Sequence, residues 1–236
     1  EIVKKNLIVI HKRILILIII FPIYLVYGQE PIKLNKKYFL LGTLHDYMGR
    51  HYPKNNPTKW NYVMNLHQSK IGEIKRIEEV TGKKFKKRKE KENITNNHEF
   101  YDLKSTCVAW RLNSFYDFEK NKGMKDMMGF TFYTGKLKCD KINKSNNSEK
   151  LSFIAGLFLT AGEKEGDTCK LSLYNSHWRF ECAKRILIEL GSEIINTEIV
   201  KGLPPTSYFI EFKPSEELKA ILENEIDRKY TLANSK

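Results

Sequence analysis

Two stretches of this chain repeat one pattern of aromatic, aliphatic and small residues. Phe39-Leu40-Leu41-Gly42-Thr43-Leu44 and Phe153-Ile154-Ala155-Gly156-Leu157-Phe158 place their glycines 114 positions apart, and a further glycine follows each run, Gly49 and Gly162. What comes next is also shared. From Trp60 to His67, Tyr62, Met64 and Leu66 alternate with Asn61, Asn65 and His67; from Lys170 to Tyr174, Leu171 and Leu173 alternate with Lys170, Ser172 and Tyr174. Period-two alternation predicts a half-buried strand in both places. A helix is then predicted from Ile71, Ile74, Ile77 and Val80 up to Gly82, and another from Ala183, Ile186, Leu187 and Leu190 up to Gly191, each glycine a C-terminal stop. Strands are expected over Phe100 to Leu112 and over Ser207 to Phe212. Each half then closes on a helix, Ser114 to about Lys120 and Ser215 to about Ile226, the second with Ser215 as N-cap and Glu216 and Glu217 in its first turn. The repeated order implies two pseudo-symmetric halves.

These signals divide the chain into an apolar N-terminal segment (1–37), a first half (38–135), a polar Lys-, Asn- and Ser-rich linker (136–150) and a second half with a C-terminal tail (151–236). Ile14 to Tyr27 is almost wholly apolar and follows His11-Lys12-Arg13. It fits a signal peptide cleaved near Gly28, a membrane contact through residues 14–27, or an extension buried in a larger assembly. The chain starts at Glu1 and not at a methionine, so an upstream start is expected. The charged run Lys83 to Glu92 reads as a solvated loop ending a helix, with a phosphate-contacting arm as its functional alternative.

Charge sharpens the picture. Lys and Arg number 41 against 28 Asp and Glu, a net +13, a balance that draws a protein towards polyanions. Cys107, Cys139, Cys169 and Cys182 are dispersed without a CxxC pair, so no metal site and no cofactor is expected from them. The abundance of Lys, Asn and Ile is the bias of an AT-rich genome.

Leu40-Leu41-Gly42-Thr43-Leu44 resembles the opening of a LAGLIDADG helix, in the variant found in intron-encoded endonucleases and maturases, and Ile154-Ala155-Gly156-Leu157-Phe158 resembles a second copy. The resemblance runs from about Tyr38 to about Ile226. It implies an α/β (α+β) fold of homing-endonuclease type: two αββαββα halves with saddle-shaped antiparallel sheets, the motif helices packed together at a pseudo-twofold axis. Gly42, Ala155 and Gly156 would let two helix backbones approach closely. In active members of that family the last acid of each motif binds a divalent metal above the scissile phosphates. Counting from the glycines puts Tyr47 and Ala161 at those places, neither a carboxylate. Asp46 and Glu163 are the displaced acids; about 100° of helical rotation per residue turns such a neighbour elsewhere. The resemblance therefore implies a degenerate enzyme with no catalytic residues, an active site-specific DNA endonuclease being the alternative.

By the same resemblance, Asn61, Asn65 and His67 in one half and Lys170, Ser172 and Tyr174 in the other face nucleic acid, with Arg50, Lys54 and Lys59 reaching phosphates. Trp60, Trp110 and Trp178 read as core or sheet-edge aromatics, with base stacking as the alternative. The expected partner is nucleic acid, RNA favoured over DNA, in a mitochondrial ribonucleoprotein such as a ribosome or a splicing complex. A secreted or membrane-anchored binding protein is the competing class.

Overall fold

A computed structural model describes residues 33–46, 48–55, 61–92, 96–121, 123–125, 129–202 and 205–235. The apolar stretch 14–27, Tyr47, Lys59 and Trp60 lie outside the described residues. Leu34–Lys236 gather into one compact unit. Its elements run α1 (Lys36–Thr43), β1 (Arg50–Pro53), β2 (Tyr62–His67), α2 (Ile71–Thr81), β3 (Lys86–Glu92), β4 (Asn96–Lys104), α3 (Thr106–Asn113), β5 (Tyr116–Phe118), β6 (Met124–Lys125), β7 (Thr131–Leu137) and α4 (Cys139–Asn143). The second half follows as α5 (Asn147–Ala161), β8 (Gly162–Glu165), β9 (Thr168–Tyr174), α6 (His177–Glu189), β10 (Glu193–Val200), β11 (Ser207–Lys213) and α7 (Glu216–Asn234). The order from α5 to α7 is αββαββα, and so is that from α1 to α3, after which the first half adds three strands.

The centre of the molecule is α1 against α5. Asn35 starts α1 by accepting the N–H groups of Lys37 and Tyr38, and Asn146 starts α5 in a capping box with Glu149. The two starts are tied by the Asn35 N–H, which donates to Ser152 Oγ at 2.8 Å. Further along, a Cβ on Gly42 would fall 2.1 Å from the Phe153 carbonyl oxygen, and one on Gly156 2.0 Å from that of Phe39. The helices touch backbone to backbone because neither glycine carries a side chain. Phe39, Leu41, Phe153, Ile154 and Ala155 fill the surrounding core without exposure. From this centre α7 reaches across to α2 of the first half, and α4 packs against α6 of the second.

The sheets break the symmetry. The second half forms one antiparallel sheet in the order β10-β11-β9-β8, with β8 and β9 joined through Gly166 and Asp167, Gly166 at φ 60°. Its first-half counterpart is β2-β4-β3 alone, because β1 pairs with β7 in a separate sheet with β5 and β6. Residues 54–61 separate β1 from β2, far more than a two-residue hairpin turn, so adjacency in sequence does not force the pair together.

Four local expectations are corrected. Thr106–Asn113 is helix and not strand: the Ser105 side chain accepts the Val108 N–H, and Ala109 and Leu112 turn to the core. Tyr116–Phe118 is strand and not helix, because it pairs with β7. The stretch 136–150 holds the end of β7, α4 with buried Ile142, and the first turn of α5. The charged run at 83–92 is no loop; most of it is β3, paired along β4.

Candidate nucleic-acid interface

The two motif helices end differently. α1 stops at Thr43 and Leu44 is extended, so Asp46 stands beyond the helix and helical rotation does not decide its direction. Asp46 turns inward, 6 % exposed. Its Oδ2 accepts Arg179 Nη1 at 3.3 Å and the Tyr116 hydroxyl, and its backbone carbonyl accepts Ser176 Oγ at 2.9 Å. Arg179 lies on α6, 2 % exposed, and also donates to the last carbonyls of α1: Nη1 to Leu41 O at 3.2 Å, Nη2 to Gly42 O. Burial first, and then the Asp46 carboxylate, push the Tyr116 phenol well above its ordinary value. Asp46 is thus the counter-ion of a buried arginine.

At the end of α5 a second cation takes the same part. Lys229 of α7 donates to Leu159 O at 3.4 Å and pairs with Glu73 of α2 at 2.9 Å. Cations suit helix C-termini, where unpaired carbonyls concentrate negative potential. They also repel a divalent metal from those positions. Ala161 offers no donor atom, Thr160 Oγ1 bonds back to Leu157 O at 3.3 Å, and Glu163 points outward from β8 opposite Lys170. Among the described residues no three His, Cys, Asp or Glu side chains converge. The residues described at the two helix ends do not fit a pair of hard cations, which need converging oxygen ligands.

The sheet faces carry the other half of the site. In β9 the alternation is as expected: Cys169, Leu171 and Leu173 are buried while Lys170, Ser172 and Tyr174 face out. In β2 it fails at Val63 and Met64, both buried, where the register with β4 shifts; Asn65 and His67 keep the outer face beyond the bulge. His67 Nδ1 accepts the Ser69 N–H at 3.2 Å and its ring meets Phe100. Asn61, part-buried, precedes the strand and has a buried Oδ1 without a hydrogen-bond partner.

Neither a family model nor a curated protein matches the sequence. Among solved structures, the chain is similar to a homing endonuclease. The crystal structure of I-DmoI in complex with DNA and Mn covers 85 % of this chain and 97 % of its own, at 14 % identity and a TM-score of 0.40. Mesophilic variants of I-DmoI give 15 % identity over 85 % of this chain and 96 % of theirs, with a TM-score of 0.44. Full-length DUF199/WhiA from Thermatoga maritima gives 13 % identity over 86 % of this chain and 62 % of its own, with a TM-score of 0.43. These are likenesses of fold.

Within that fold the charge is divided. Residues 34–150 hold 25 Lys and Arg against 13 Asp and Glu, a net +12; residues 151–236 hold 11 against 13, a net −2. The sheets follow suit. On the outer face of the first-half sheet, Lys86 stands beside Asp102 and Asn65, Arg88 beside Phe100 and His67, and Lys104 beside Tyr62. Among the residues whose side chains are described, the acid on that face is Asp102, 4 % exposed and held by Arg88 at 3.0 Å and Lys104 at 3.3 Å. On the outer face of the second-half sheet stand Glu163, Glu165, Glu193, Glu198 and Glu211, with Lys170 and Lys213 among them.

This division reassigns several expected contacts. Lys170 lies between Glu163 on β8 and Glu211 on β11 and rests its ammonium 4.9 Å from the Phe209 ring, so its charge is balanced locally. Arg50 departs furthest from its expected role as a phosphate contact. It is 7 % exposed, and its nitrogens donate to Asn113 Oδ1 (2.9 Å), Val63 O (2.7 Å) and Tyr62 O (3.3 Å). It fastens β1 to β2 and α3, a join that the divided sheet requires. Lys54 is exposed beside Tyr133, its ammonium 5.9 Å from the ring. Sequence reasoning passed over Arg179 and Tyr116. Arg179 had left a trace, since it stands four and seven residues before Ala183 and Ile186, on the apolar stripe of α6. Tyr116 had left none, because its position depends on a strand pairing.

Proposed function

We propose that the chain binds RNA as a non-cleaving component of a mitochondrial ribonucleoprotein, a ribosomal constituent or a splicing factor. The observation that carries this reading is the division of charge between the two sheets. A duplex laid along both halves would meet basic side chains on one sheet and five glutamates against two lysines on the other, and phosphate backbones are repelled by the second. A compact RNA touching the first half alone meets Lys86, Arg88 and Lys104 without that cost. Buried Asp46 and its arginine support the absence of cleavage. The Lys-, Asn- and Ile-rich composition and the apolar N-terminal stretch support an organellar setting, docked in an assembly or at the inner membrane.

Fluorescence anisotropy with a structured RNA and a duplex DNA of equal length, across a salt series, tests the reading. The RNA is expected to bind more tightly, with affinity falling steeply as salt rises. Lys86→Glu with Lys104→Glu should weaken it, and Lys170→Glu should not. A flat salt dependence, or no binding at low salt, would refute the proposal.

A further inference from the structure

The Asp46–Arg179 pair lies at one side of a cavity of about 600 Å³, a size common to small-ligand sites. Its lining is mainly apolar and aromatic, with Trp178, His177 and Tyr208 from the second half and Leu137 from β7. Trp178 is 45 % exposed; its ring meets His177 edge-on at 5.3 Å, and His177 in turn lies 5.8 Å from Tyr208. The Lys136 ammonium stands 5.4 Å from the Trp178 ring. An exposed indole beside a cation is unusual for a core or sheet-edge aromatic, the role its sequence context suggests.

The backbone at this cavity is costly. Met48 (φ 59°) and Asn175 (φ 46°), the non-glycine residues with positive φ among those described, both line it. They are joined by the Met48 N–H, which donates to Asn175 O at 2.9 Å, and Asn175 is fixed in turn by two hydrogen bonds with the Thr206 backbone, at 2.8 and 2.7 Å. Strain of this kind persists only where the surroundings over-determine it, and it concentrates at sites that hold ligands.

We propose that this cavity takes one unpaired base of the bound RNA, stacked on Trp178 with its polar edge towards Asp46 and Arg179. The inference rests on the nucleic-acid reading above. An aromatic platform accepts the face of any base, and a paired base inside a helix cannot present that face. The adjacent Lys136 is paired with Glu119, and it meets the phosphate that accompanies the base by exchanging that carboxylate for it.

The test titrates the full chain and its Trp178→Ala and Trp178→Phe variants with an unstructured single-stranded RNA, taking a blunt RNA duplex as reference in the same buffer. The ratio of single-strand to duplex affinity should fall about tenfold in Trp178→Ala, the scale of one stacked base, and should largely recover in Trp178→Phe. An unchanged ratio in Trp178→Ala, with the parent protein binding RNA, overturns the cavity assignment alone. Failure of the parent protein to bind either RNA at low salt overturns the nucleic-acid reading together with it.

Discussion

Gly42 and Gly156, 114 positions apart in sequence, each lie against the backbone of the other's helix. A methyl group at either place meets a carbonyl oxygen and not a yielding side chain, so the helices must separate to admit it. Gly42→Ala and Gly156→Ala should each destabilise the fold by about 3 kcal/mol, the upper end of ordinary overpacking. The double variant should lose less than twice that, since one separation relieves both clashes. Urea unfolding measures this; two single variants within about 0.5 kcal/mol of the parent would mean that the helices do not meet as described.

A buried ion pair joins the halves a second time. Arg76 of α2 donates Nε to Glu225 Oε2 of α7 at 2.8 Å and Nη2 to the other carboxylate oxygen, while Nη1 reaches Glu79 at 2.7 Å. Glu225 is 1 % exposed, so removing the arginine strands a carboxylate in the core. Arg76→Ala is expected to cost about 3–5 kcal/mol, and Arg76→Met with Glu225→Leu far less, because no charge is then left unpaired. A double variant as damaged as the single would assign the loss to packing.

The features legible in the sequence were those fixed by short-range patterns. The paired glycines, the stops at Gly82 and Gly191, both in the left-handed region, and the alternation of Lys170 to Tyr174 all depend on neighbours close in the chain. What the sequence concealed depends on distant partners. Val108 and Trp110 have strand-like propensity, yet Ser105 caps a helix there; Tyr116 becomes strand only because β7 returns beside it. Arg50 and Arg179 resemble surface cations, and each is drawn inside by carbonyl oxygens that the chain supplies from elsewhere. Half of the candidate site, the outer sheet faces, could be read from alternation. The division of their charge needed the register.

Alkaline pH offers a separate check on the first half. Burial, reinforced by Asp102, raises the Tyr62 phenol from 10 to about 12. A phenol whose folded pKa is raised ionises more readily in the unfolded chain. Its contribution is therefore complete below about pH 10 and is lost as pH climbs towards about 12, by up to about 3 kcal/mol. Urea unfolding at a series of pH values should show that decline for the parent protein and a shallower one for Tyr62→Phe. Equal slopes would show that the Tyr62 ring is solvated.

The engagement of Asp46 leads to the prediction on catalysis. A metal-bound nuclease centre needs carboxylates free to coordinate, and the Asp46 carboxylate already holds the Arg179 guanidinium and the Tyr116 hydroxyl. Freeing it means leaving Arg179 unpaired in the core at several kcal/mol, more than a loosely held cation returns. The unmodified protein should therefore leave duplex DNA intact with either Mg²⁺ or Mn²⁺. Asp46→Asn should register as a stability change: a carboxamide can still accept from Arg179 but supplies no charge, so about 3 kcal/mol is lost. Tyr116→Phe should cost about 1–3 kcal/mol through the lost hydroxyl. Nicking of a supercoiled plasmid, followed beside urea unfolding of the same samples, separates the two roles. Divalent-dependent nicking by the parent protein that disappears in both Asp46→Asn and Glu163→Gln would give those acids a catalytic role, and Asp46 would then have to leave Arg179 during the reaction. Loss of stability in Asp46→Asn with no nicking by any form is the result expected of a counter-ion.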